Sequence, residues 1–305
     1  MRRDSGGFRC LLGRRKVLRD IRRGREVEPR SVAIRGVALE VFDWGAGEPV
    51  LLIQTALTAD ELRPLATDPA LDGYRKILYH RRGYAGSSSA TGAPSISRDA
   101  ADCSSLLAEL NVDGAHVVGV SYSAAVALQL AVEAPERTRT VTLLEPPPVH
   151  TPSAAAFRAA NEQLMATRRE KGTLPALAEF LSRVIGADWQ EVAERQLPGS
   201  SAQMRRDVGT FLDVDLPALL SWRFGPQDAS GITCPILYVG GSDSGPWFAE
   251  VRELILGWFP NAEDVVIDGA DHSLALTHAA QIARSLAAFL QDHSSNTQPG
   301  SSPAS

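Results

Sequence analysis

A serine, a carboxylate and a histidine occur in chain order where acyl-transfer chemistry requires them: Ser121 in GVSYS, Asp243 in GGSDSG and His272 in DGADHS. A serine hydroxyl is a weak nucleophile until an adjacent imidazole takes its proton, and the imidazole needs a carboxylate to orient it. Gly119 and Ser123 stand two residues to either side of Ser121, and both are small enough for a sharp strand-to-helix turn that lifts the hydroxyl clear of the backbone. The same turn aims N–H groups at the start of the next helix, Tyr122 first, into the space above the serine. The competing reading is a serine that merely falls in a turn. Glu145, at the end of an apolar run, is the alternative carboxylate, and Asp271 is read as a solvated neighbour of His272.

These residues need elements to hold them. Each follows a short apolar run of buried-strand type: His116–Val120 before Ser121, Ile236–Val239 before Asp243, and Val265–Ile267 before His272. Further strands are predicted as a hairpin over 31–43 turning at Arg35-Gly36, then at Val50–Ile53, Lys76–Tyr79 and Thr138–Leu144. Helical patterns alternate with them at 97–110, from Tyr122, near Phe248–Leu256 and over Ala280–Phe289. Near-continuous apolar strands alternating with helices mean a mostly parallel sheet covered on both faces. Loops at the carboxyl ends of such strands are where an open sheet holds its ligands. Between the Pro146-Pro147-Pro148 stop and Cys234-Pro235, about 85 residues carry only helical patterns, as expected of a cap inserted into the sheet domain.

Composition narrows the class. The chain has 305 residues and 44% hydrophobic content, enough for one large core. Residues 1–30 carry net +7 and the remainder −12. An acidic body excludes a nucleic-acid binder, and no apolar run is long enough to span a membrane. The basic segment has no apolar region of the kind a secretory signal needs, and is expected to be a disordered extension. The Ser/Pro/Gly-rich residues 292–305 are expected to be a disordered tail. Cys10, Cys103 and Cys234 have no metal-ligand spacing and fit a reduced, cytoplasmic protein. No dinucleotide fingerprint is present, so no cofactor and no metal are expected.

GVSYS, GGSD, DGADH and the loop YHRRGYAGSS at 79–88 together resemble the α/β-hydrolase superfamily over about residues 31–290. The resemblance implies an α/β fold with an eight-stranded sheet. Its core comprises 31–148 and 233–291, with a helical cap over 149–232 after the sixth strand. It implies Ser121 as nucleophile, His272 as base and Asp243 as acid. The oxyanion donors would be the N–H groups of Tyr122 and Ala56, the latter in a Gln54-Thr55-Ala56-Leu57 stretch that replaces the family's His-Gly-x. Gln54, Leu57, Glu145 and Trp222 are the candidate substrate contacts. His80, where the family usually has aspartate, is read as tying down the Arg81-Arg82 loop. The expected function is cofactor-independent cleavage of an ester, thioester or related acyl bond in a small, largely apolar molecule. Base-catalysed non-hydrolytic chemistry and a small-molecule receptor are the alternatives. The only partner expected is that substrate, bound by a monomer or homodimer.

Overall fold

Alternate residues of the central strands face opposite sides of one sheet, and both sides are dry. Leu51, Ile53, Val117, Val141 and Leu143 belong to one apolar core, while Val50, Leu52, Val118, Val120 and Leu144 belong to the other. A strand buried on both faces has no polar side to show, so its sequence reads as an unbroken apolar run. The computed structural model describes residues 18–20, 25–184 and 186–294.

Among these, Leu18–Asp20 (β1) and Arg25–Val27 (β2) form a small antiparallel pair. The expectation of an unstructured segment over 1–30 therefore fails for this part. Val27 packs against the core, a contact that the density of charge around it conceals in the sequence. The rest of that segment and residues 295–305 of the expected tail lie outside the described residues.

The main sheet has eight strands. The predicted hairpin is Arg30–Ile34 (β3) and Val37–Trp44 (β4), turning at Arg35 (φ +43°) and Gly36 (φ +78°). Two positive φ values in a two-residue turn match the right-handed twist of the strands they join. Pro49–Ile53 (β5), Arg75–Tyr79 (β6), Ala115–Val120 (β7), Thr138–Leu144 (β8), Ile236–Gly241 (β9) and Glu263–Ile267 (β10) follow. The order across the sheet is β10-β9-β8-β7-β5-β6-β4-β3, parallel from β10 to β6 and antiparallel beyond. Helices Ile96–Glu109 and Tyr122–Glu133 cover one face, and Ala279–Asp292 covers the other. Among the described residues no helix is long and apolar enough to cross a membrane.

Between β8 and β9 the chain is helical, with Ala154–Lys171, Thr173–Val184, Trp189–Gln196, Ser200–Thr210 and Leu216–Ser221 as its longer pieces. This insert has its own apolar core, including Leu164, Leu181, Trp189 and Phe211, into which Leu57 of the sheet domain projects. A π-helical turn, Phe211–Asp215, carries the fully buried Asp215 to the sheet domain. There Arg81 Nη2 donates to Asp215 (2.7 Å) and Arg81 Nη1 to Asp99 (2.6 Å), while the Tyr84 hydroxyl donates to Asp215 (2.5 Å). All of these groups are buried, so the ions depend on one another for the solvation that water does not provide. Replacing Arg81 by Met should lower the unfolding free energy by about 3–5 kcal/mol, because two buried carboxylates lose their shared partner. Urea denaturation measures it, and a change below about 1 kcal/mol would mean that the network is not a structural clamp.

Candidate active site

The turn after β7 is built around a strained serine. Ser121 has φ +50° and ψ −117°, a conformation that costs a non-glycine residue about 1–3 kcal/mol and persists only where its surroundings hold it. Its N–H donates to the Leu144 carbonyl at 2.9 Å, joining the turn to the end of β8. Ser123 is fully buried, and its hydroxyl both accepts from the Val120 N–H (2.9 Å) and donates to the Val120 carbonyl (3.0 Å). Ser123, small enough for the turn, is therefore also its fastener. Gly119 has no such freedom, since a Cβ there would lie 2.3 Å from the Ser123 carbonyl oxygen.

The next strand ends in the same way. Glu145 follows β8 with φ +43° and is fully buried. Its N–H donates to the Val239 carbonyl (3.1 Å), and its Oε1 accepts from the Gly241 N–H (2.8 Å). Its Oε2 lies 2.7 Å from His272 Nδ1. A carboxylate only accepts, so Nδ1 carries the proton and the neutral ring keeps Nε2 as its open acceptor. Phe248 stacks on the imidazole at 4.0 Å with 20° between the planes, which fixes the ring from its face.

The carboxylate expected from the sequence to meet His272 is not the one bonded to it. Asp243 is exposed, and its Oδ1 accepts from the Ser242 hydroxyl at 2.9 Å. Strand β9 runs on to Gly241, and the Asp243 N–H is bonded to the Ala270 carbonyl (2.8 Å), which holds the side chain at the cavity rim. Glu145 sits one strand closer to the serine.

Ser121, Tyr122, Ala56 and His272 all line one cavity of about 480 Å³, whose other walls include Phe157, Phe180 and Phe211 of the insert. Tyr122 is the first residue of its helix, so its N–H has no acceptor within the helix. The neighbouring Leu57, at φ +65°, donates its N–H to the Tyr84 hydroxyl (2.9 Å) and also lines the cavity. Two expected substrate contacts lie elsewhere. Gln54 is buried away from the cavity walls, with Nε2 donating to the Thr55 carbonyl (2.8 Å) and Oε1 accepting from the Arg81 N–H (2.7 Å). Trp222 packs on Phe224 and donates its indole N–H to Gln129 (2.7 Å). His80 is a buried tie, its ring nitrogens paired with Glu40 (2.6 Å) and Asp60 (3.0 Å). Glu61, which the sequence reading passed over, lines the cavity, and burial pushes its carboxyl up to about 7 against the opposing influence of nearby His272.

The family model described as the alpha/beta hydrolase fold matches residues 49–279, a span that contains every residue of this cavity. Among solved structures, a thermophilic esterase from Thermogutta terrifontis superposes with a TM-score of 0.73 at 20% identity, over 87% of this chain and 99% of that one. The enol-lactonase from Burkholderia xenovorans LB400 gives 0.71 at 21% identity, over 86% of this chain and 100% of that one. In sequence, 79 residues are 34% identical to the dihydrolipoyllysine-residue acetyltransferase component of the acetoin cleaving system of Cupriavidus necator. That match covers 26% of this chain and 21% of the relative, so only a fifth of the relative's length is represented.

The tightness of the turn makes a prediction. Gly119→Ala should cost about 1–3 kcal/mol of stability, because the contact is with backbone and no flexible side chain can yield. Thermal melting measures it, and an unchanged melting temperature would contradict the geometry of the turn.

Proposed function

The chain belongs to the α/β-hydrolase fold family, and from that premise we propose that it is a serine hydrolase cleaving an ester, thioester or lactone of a small, largely apolar molecule. The observation that carries this reading is the bond from His272 Nδ1 to buried Glu145, beside a serine held at positive φ on the wall of the same cavity.

In this mechanism His272 Nε2 takes the hydroxyl proton as Ser121 Oγ attacks the carbonyl carbon. Glu145 keeps the proton on Nδ1 and stabilises the imidazolium that forms. The carbonyl oxygen, now an anion, lies against the N–H groups of Tyr122 and Ala56, each donor worth about 2.7–4 kcal/mol in the transition state. His272 then gives its proton to the departing alcohol or thiol. A water molecule deprotonated by His272 attacks the acyl-enzyme, frees the carboxylic acid and returns Ser121 to its starting state. The aromatic walls supplied by the insert favour apolar substituents on the acyl or alcohol side.

The assignment of the acid is directly testable with an activated ester such as 4-nitrophenyl butyrate. Glu145→Gln should reduce kcat by about 10⁴-fold, since an amide favours the wrong imidazole tautomer. Asp243→Asn should stay within about tenfold of the unaltered protein, because its carboxylate is exposed and bonded to the Ser242 hydroxyl, while His272 Nδ1 is bonded to Glu145. The reverse pattern would return the acid to the β9 loop. Ser121→Ala should remove turnover, and activity retained there would mean chemistry in which His272 acts as a base without an acyl-enzyme.

A further inference from the structure

Glu61 is a cavity carboxyl to which the proposed mechanism gives no task. The loop that presents it is anchored on every side. Leu57 N–H is bonded to Tyr84 (2.9 Å), Ala59 N–H to Gln203 Oε1 (3.1 Å), the Asp60 carboxylate to His80 (3.0 Å), and Arg63 N–H to the Asp60 carbonyl (2.9 Å). The position of Glu61 in the wall is thus fixed before anything binds.

The other charged groups around the cavity already have partners. Asp215 is held by Arg81 and Tyr84, Asp243 by Ser242, and Asp271 by the Ser273 N–H and hydroxyl, while Arg183 is paired with Glu179. Among the described residues, no hydrogen bond or ion pair within the protein reaches the Glu61 carboxyl; the charge that His272 can carry lies close enough to act on it. A half-buried carboxyl in a largely apolar cavity, with no donor bonded to it, is incompletely solvated, and a ligand that brings a donor removes that deficit.

We propose that Glu61 is a specificity-determining residue that accepts a hydrogen bond from a hydroxyl or ammonium group of the substrate, so that the site selects esters bearing such a donor over plain alkyl esters of the same size. This deepens the ester-cleaving reading and rests on it for the identity of the scissile bond. The cavity supplies apolar contact for the carbon skeleton, and Glu61 supplies a point of orientation near His272.

Affinity measured on the Ser121→Ala protein separates the selection from the chemistry. The probes are 3-hydroxypropyl butyrate against butyl butyrate, and 3-(dimethylamino)propyl butyrate, protonated at neutral pH, against 4-methylpentyl butyrate. Isothermal titration should find at least one donor-bearing ester bound about tenfold or more tightly than its alkyl match, the yield of one charge-assisted hydrogen bond. Adding Glu61→Leu should bring that ratio to about one. The near-isosteric Glu61→Gln should keep the preference for the hydroxyl and lose that for the ammonium, and thermal melting of each variant verifies that it is folded. Equal binding within both pairs, or a ratio that survives Glu61→Leu, would overturn the proposal. Turnover of the same esters by the unaltered protein reads the other question. Donor selectivity without turnover would sink the ester-cleaving reading and keep the Glu61 site, and turnover without donor selectivity would do the reverse.

Discussion

The site depends on one line of register across three parallel strands. Val120 of β7 pairs with Leu144 of β8, and Leu144 pairs with Val239 of β9. The residues that immediately follow the first pair are Ser121 and Glu145. Both leave their strands through a positive φ, at +50° and +43°, and each is tied by its N–H to the end of the next strand, at Leu144 and Val239. Two strained residues side by side would be costly in isolation. Here the fully paired, buried strand ends fix their positions, so that a backbone penalty is exchanged for two polar side chains raised above the sheet. His272 arrives from the loop after β10, which pairs with β9, and its Nδ1 meets Glu145 at 2.7 Å.

Arg81 connects this arrangement to the helical insert. Its guanidinium bonds Asp99 and Asp215, reaches the carbonyls of Gln54 (2.9 Å) and Thr55 (3.2 Å), and lies over the Tyr122 ring at 4.3 Å. It thereby touches the loop that carries Ala56, the residue that begins the Tyr122–Glu133 helix, and the π-helical turn of the insert. Thr55 adds a hydroxyl bond to the Val120 carbonyl (2.8 Å), the same oxygen that Ser123 holds. The two proposed oxyanion donors are consequently positioned by one buried polar cluster. That is a use for ions whose burial, considered alone, would stabilise the fold little.

The sheet was readable from sequence because burial on both faces leaves strands that are almost wholly apolar, as in Val50–Ile53 and His116–Val120. The turn at Ser121 was readable because its need for small neighbours is local. The carboxylate bonded to His272 was not, since whether Glu145 or Asp243 meets the ring turns on which loop end faces it, and the bond joins residues 127 apart. Gln54 and Trp222 were misread for a related reason: both lie in irregular backbone, where the period of a strand or helix no longer says which way a side chain points. Glu61 carried no signal at all, because its significance comes from walls contributed by distant helices. The β1–β2 pair was hidden by a charge-rich composition that offers little apolar pattern.

Activation by the proposed His272–Glu145 pair should leave Ser121 transiently acylated. Intact-mass and peptide mass spectrometry after mixing with 4-nitrophenyl butyrate and quenching with acid within the first turnovers tests it most directly. The expected result is a single butyryl adduct on the peptide containing Ser121, formed with a burst of 4-nitrophenol of about one equivalent per active site. Steady turnover with neither burst nor adduct, or an adduct on any other residue, would contradict it.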